Sequence, residues 1–162
     1  MKLNILRAIL IVMLIFTLNI IFSFSNQNGT DSGSLSKKIT KILTDKIEYI
    51  QKMENSNKEK CLKKIEHVVR KLAHFSIYAL CGILLISLML TFKIKNLLRI
   101  GISFSLGLIY AISDEIHQSF IPGRAAQATD VLIDTLGVIF GIFLVLIIYR
   151  LIKKQKHKTQ KT

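Results

Sequence analysis

Four apolar runs separated by shorter polar stretches constrain this chain more than any other feature. Leu3 to Phe24 is interrupted only by Asn4, Arg7, Thr17, Asn19 and Ser23. Leu72 to Phe92 holds one side chain of the Asp, Glu, Lys, Arg or His type, His74. Leu97 to Ile112 holds only Arg99, and Val131 to Ile148 only Asp134. A helix crosses the hydrocarbon of a bilayer with about 20 mostly apolar residues. The runs therefore predict an all-α, polytopic membrane protein, a four-transmembrane-helix bundle with spans near 5–24, 72–92, 97–117 and 131–150. Soluble helices would carry a polar stripe that these runs lack. The first run could also serve as a signal peptide, with Ser23-Phe24-Ser25 as its cleavage site. Its length favours a retained anchor.

The formal charge of +13 raises the question of a nucleic-acid partner. The basic residues bracket apolar runs, so topology and anionic headgroups account for them, and no nucleic acid is expected. Lys2 and Arg7 precede the first run, and Lys93, Lys95 and Arg99 bracket the turn after the second. Arg150, Lys153, Lys154, Lys156, Lys158 and Lys161 follow the fourth. Four spans put all three groups on one side, which the positive-inside rule makes cytoplasmic, with both termini there. The loop from Ser113 to Asp130 then faces outward. The segment 25–71 pulls the other way, with eleven Lys and Arg against six acids, but charges far from a span weigh less. Residues 1–152 read as one membrane domain and 153–162 as a basic cytoplasmic tail.

In the first outer loop, the glycine-rich stretch around Gly29 reads as a flexible connector. Ile39, Ile42, Leu43, Ile47, Ile50 and Met53 then recur at helical spacing among lysines, predicting an amphipathic helix. Two placements fit that pattern equally: flat on the membrane, or packed over the bundle. Cys61 in this loop and Cys81 in the second span give no reason to expect a disulfide or a metal framework. The chain's only proline, Pro122, marks a turn, so the third and fourth spans form a hairpin.

The chemistry gathers at that hairpin. Ser103, Gly107, Ala111, Asp114 and Gln118 recur at three- and four-residue steps and share one helix face. Asp130, Asp134, Gly137 and Gly141 do the same on the fourth span, two carboxylates followed by a GxxxG strip that permits close packing. Arg70, His74 and Tyr78 step by four on the second span, with Lys71 adjacent. Three helices thus bring ionisable groups to one depth, which is tolerable only if acids and bases face each other or water. Candidate site residues are Arg70, Lys71, His74, Asp114, Glu115, Gln118, Arg124, Asp130 and Asp134, with Gly107, Gly137 and Gly141 serving packing. Simpler roles exist for single members. Asp130 could cap the fourth helix, Arg124 could anchor to lipid phosphate, and Asp114, Glu115 and His117 could snorkel to water. Asp134, a turn inside its span, resists such a role.

RKLAHFSIYALCGILL and SDEIHQSFIPGRAAQATDVLIDTLG resemble the VanZ-like family of small bacterial membrane proteins, as does the post-span SNQNG. The resemblance runs from the first span through the fourth. It implies a multi-pass protein of the cytoplasmic membrane with a role in lowering susceptibility to teicoplanin-type lipoglycopeptides. Its motifs fall on Arg70, Lys71, His74, Ser113, Asp114, Glu115, Gln118, Arg124, Asp130, Asp134 and Gly137. It implies no catalytic mechanism.

Two functions fit these residues. One is a non-catalytic envelope protein whose outward polar pocket binds a lipid headgroup, a cell-wall precursor or the lipoglycopeptide itself. Arg70, Lys71 and Arg124 would meet phosphate or carboxylate there. The other is a membrane enzyme acting on an envelope lipid or polymer, with His74 or Glu115 as general base. A divalent ion on Asp114, Asp130 and Asp134 would fit that enzyme, although no metal motif such as HExxH occurs. Neither a cofactor nor a resident metal is expected from the motifs, and the pattern fixes no oligomeric state.

Overall fold

The computed structural model describes residues 1–26, 32–45, 47, 50, 52–124 and 126–159. Among the described residues, five helices are bounded: α1 (Lys2–Ser25), α2 (Ser32–Thr44), α3 (Asn55–Leu90), α4 (Asn96–Ser119) and α5 (Ala128–Thr159). There are no strands among the described residues. Four of the five, α1, α3, α4 and α5, are long and apolar enough to cross a membrane, so the fold is the expected all-α, multi-pass bundle. The 36 residues of α3 extend about 54 Å at roughly 1.5 Å per residue. Hydrocarbon about 30 Å thick cannot hold that length. The polar first turns of α3, which precede the apolar run, therefore project beyond it.

Contacts at both ends fix an up-and-down order. Arg7 near the start of α1 donates to the Thr91 carbonyl at 2.7 Å and to Thr91 Oγ1 at 3.1 Å, just past the end of α3. Near the other end of α1, Phe22 stacks on His117 of α4 with ring centroids 4.9 Å apart. We call the first the terminal end, since α1 begins and α5 ends there, and the second the hairpin end. Tyr110 of α4 ties the middle, donating to the Leu18 carbonyl at 2.7 Å. Thr17, Ile21 and Ser25 form the buried edge of α1, Leu10, Leu14, Leu18 and Ile20 are half-buried, and most of its other apolar side chains are exposed.

The core is Ile21, Tyr78, Ile86, Ala111, Val138 and Ile142. Its tightest seam joins α3 to α5, the most extensive helix pair. A methyl group on Gly141 would overlap the Ala79 carbonyl oxygen, and one on Gly137 would stand 2.5 Å from the Phe75 carbonyl oxygen. The seam is reciprocal, because Gly82 on α3 meets the Val138 backbone in the same way. Close backbone approach of this kind is how helices gain packing energy where lipid supplies no hydrophobic drive.

The loop helix packs over the bundle, one of the two anticipated placements. Ser36, Thr40 and Thr44 are buried, and α2 packs along α3, whereas Ile39, Ile42 and Leu43 face outward. The hydroxyl stripe lies on the bundle and the apolar stripe points away from protein. The helix ends at Thr44, with Ile47 exposed and Ile50 buried beyond it. The stretch 23–36, expected as a flexible connector, is instead helical at both ends, in α1 to Ser25 and in α2 from Ser32. Its residues 27–31 and Lys46, Glu48, Tyr49 and Gln51 lie outside the described residues.

Candidate functional site

Each helix delivers its polar residues to the hairpin end along the face that the spacing implies. On α4, Ser103, Gly107, Ala111, Asp114, Glu115 and Gln118 are all buried. Asp114 and Glu115 are each 5% exposed and therefore do not snorkel to water. On α5, Asp134 is 1% exposed, one turn above Gly137 and Val138, which are buried in the α3–α5 seam. On α3, Tyr78 is fully buried and His74 sits one turn nearer the hairpin end. The close α3–α5 approach that the glycines allow is what brings His74 opposite Asp134.

A cavity of about 140 Å³ opens between these helices. Seven of the nine candidate residues line it: Arg70, Lys71, His74, Gln118, Arg124, Asp130 and Asp134. The remaining two stand behind it. Asp114 accepts from Gln118 Nε2 at 3.0 Å, and Glu115 accepts from the Gln127 backbone N–H at 2.6 Å, tying the hairpin loop to α4. Gln127 and Gly123 also line the cavity and carry no periodic signal. Gly123, at φ 79°, makes the turn after Pro122, a conformation that L side chains resist. The polar Gln127, standing just before the α5 start, was the one available hint.

Two expected roles change. Asp130 is not the helix cap, because α5 begins at Ala128 and Asp130 lies in its first turn. Its carboxylate pairs with Lys71 at 3.1 Å, both side chains about one-third exposed. That pairing gives Lys71 a carboxylate partner at the cavity wall. It also removes Asp130 from the anticipated cation-binding acids. The close ligand group is His74, Asp114 and Asp134, with one donor atom of each within 4.8 Å of the others.

The arginines are less satisfied. Arg124 donates to the Phe24 carbonyl at 3.0 Å, closing the hairpin loop over the end of α1. Arg70 contacts only His67 Nδ1, at 3.4 Å, and pairs with no carboxylate among the described residues. Burial pulls the Arg124 guanidinium below its ordinary range, and the neighbouring Arg70 charge pulls it further. Two like charges thus share one wall of the cavity.

A second cleft of similar size, about 140 Å³, adjoins the first and shares Arg70, His74 and Arg124 with it. Its remaining lining is largely apolar, from Ile21 and Phe24 of α1, Ile39 of α2, and Val69 and Ile77 of α3. Sequence spacing gave no sign of this cleft, because it draws on three helices and depends on where α2 rests.

A family model described as VanZ/LLP1 matches residues 9–149, nearly the whole chain. No curated protein and no solved structure matches significantly. The chain belongs to the VanZ-like family of membrane proteins.

Proposed function

We propose that the protein binds a lipid whose phosphate-bearing headgroup carries net negative charge, at the outward face of the cytoplasmic membrane. The observation that carries this reading is the meeting of a polar cavity and an apolar cleft on Arg70, His74 and Arg124. A headgroup phosphate would sit between the two guanidinium groups, whose forked donors suit it. The first acyl or prenyl carbons would enter the cleft beside Ile21 and Ile77. Outward orientation follows from the basic flanks at the terminal end. A bilayer phospholipid and a lipid-linked wall precursor share this chemistry. Holding either one would change what a lipoglycopeptide meets at the surface, and thereby lower susceptibility to teicoplanin-type drugs.

The test uses the purified chain in zwitterionic detergent, with thermal unfolding followed as phosphatidylglycerol, undecaprenyl phosphate or phosphatidylcholine is added. Stabilisation by a phosphate-anionic lipid, reduced at least tenfold in apparent affinity by Arg70→Gln, supports the reading. The stronger of the two anionic lipids identifies the source. Equal response to phosphatidylcholine contradicts it.

The grouping of His74, Asp114 and Asp134 favours a second reading, in which the bound headgroup is chemically modified. Glu115 is a poor general base here, since its carboxylate already accepts from Gln127 and stands outside the cavity. Altered lipid mass spectra on expression, lost in Asp134→Asn, would select this reading over binding alone.

A further inference from the structure

Asp134 presents an unusual electrostatic problem. The residue is 1% exposed within a membrane span, yet neither carboxylate oxygen accepts a hydrogen bond among the described residues. The nearest basic atom is His74 Nδ1, 3.6 Å from Oδ1, too far for a hydrogen bond. Asp114 adds a second buried carboxylate with a donor atom inside the same 4.8 Å group. The nearby bases do not satisfy them: His74 stands 3.6 Å from Asp134, and Arg70 pairs with no carboxylate among the described residues. Lys71 is held by Asp130, and Arg124 donates to the Phe24 carbonyl. An unpaired buried carboxylate is strongly unfavourable, so the site calls for positive charge from outside the chain.

We propose that His74, Asp114 and Asp134 bind one divalent cation at the inner wall of the polar cavity. The spacing fits metal ligation better than hydrogen bonding. Two donors each about 2.1 Å from an ion stand roughly 3.0–3.5 Å apart at right or tetrahedral angles. The 3.6 Å between His74 Nδ1 and Asp134 Oδ1 lies close to that range. Small side-chain rotations would gather Asp114 as well. Gln118, which donates to Asp114 Oδ2 at 3.0 Å, holds that carboxylate in orientation and leaves Oδ1 for the ion. One imidazole with two carboxylates favours a first-row transition ion over Mg²⁺ or Ca²⁺, which take oxygen ligands. Two negative charges with a neutral imidazole match a divalent ion. Three protein ligands leave coordination positions open towards the cavity, where an anionic headgroup would complete them.

This inference stands on the three side chains and needs no lipid, so the two readings fail separately. The full-length protein in detergent is stripped with chelator and titrated with Mn²⁺, with bound ion followed by electron paramagnetic resonance. The expected result is one ion per chain, with nitrogen-14 modulation in the spin-echo signal. His74→Asp keeps an oxygen ligand and should bind Mn²⁺ without that modulation, while Asp134→Asn should weaken binding at least tenfold. Glu59→Gln, in an exposed pair with Lys63 away from the cavity, should bind like wild type. Substoichiometric binding by wild type, or nitrogen modulation persisting in His74→Asp, overturns the site. Wild type that takes no ion yet still prefers anionic lipid would overturn this inference and leave the lipid reading intact. Wild type that takes the ion without any lipid preference would do the reverse.

Discussion

The two ends of the bundle treat charge in opposite ways. At the terminal end, each inward-reaching arginine finds a backbone partner. Arg7 donates to Thr91 and lies 4.3 Å over the Phe92 ring, and Arg99 donates to the Phe92 carbonyl at 2.7 Å and to Asn96 Oδ1 at 2.6 Å. These side chains complete the turn between α3 and α4, whose last carbonyls lack helical partners. At the hairpin end, Asp134 is buried without a hydrogen bond and Arg70 stands beside Arg124 without a carboxylate. One end uses charge to close the fold. The other leaves charge unmatched, which supports the binding site proposed there.

The contrast is broken most severely by disrupting the seam that aligns both ends. Gly141→Leu would drive a side chain into the Ala79 carbonyl and lower stability by about 3 kcal/mol or more. Unfolding in mixed detergent micelles measures it, and lipid binding should be lost along with the fold. Arg7→Ala should remove charge-assisted bonds at the terminal end, destabilising by about 1–2 kcal/mol. Its lipid affinity, read by lipid-dependent thermal shift, should stay at the wild-type value.

Asp134→Asn sharpens the comparison because the expected sign reverses. In chelator and without lipid it removes a buried unpaired charge, so the unfolding midpoint should rise by the equivalent of about 1 kcal/mol. A terminal-end charge would not behave so. Lys71→Ala is the smallest perturbation, since its pair with Asp130 is partly exposed and exchanges with water. It should change stability by less than about 1 kcal/mol, as double-mutant cycles with Asp130→Asn would read.

The fold and much of the site are legible along the chain because helical period decides which residues share a face. Ser103, Gly107, Ala111, Asp114 and Gln118 are buried together as their spacing requires. Depth is legible too, since rise per residue sets Arg70, Asp114 and Asp134 at one level. Partner choice is not. Asp130 and Asp134 share a face, yet Lys71 takes the first and His74 faces the second, a matter of one turn of offset between α3 and α5. Gly82 looks like any glycine in an apolar run until the α5 backbone lies against it. For α2, spacing identifies the apolar stripe but not the hydroxyl stripe of Ser36, Thr40 and Thr44 that packs on the bundle. The hydroxyl stripe meets protein because bundle contact satisfies it, and the apolar stripe is left for lipid.

The account's central claim is that the hairpin end holds an anionic lipid headgroup between Arg70 and Arg124. Native mass spectrometry of the chain, released from micelles with equal phosphatidylglycerol and phosphatidylcholine, tests it most directly. The account predicts retention of one phosphate-anionic lipid per chain in wild type and in Arg7→Ala, and its loss in Arg70→Gln. Equal retention of both lipids, or undiminished retention in Arg70→Gln, would contradict it.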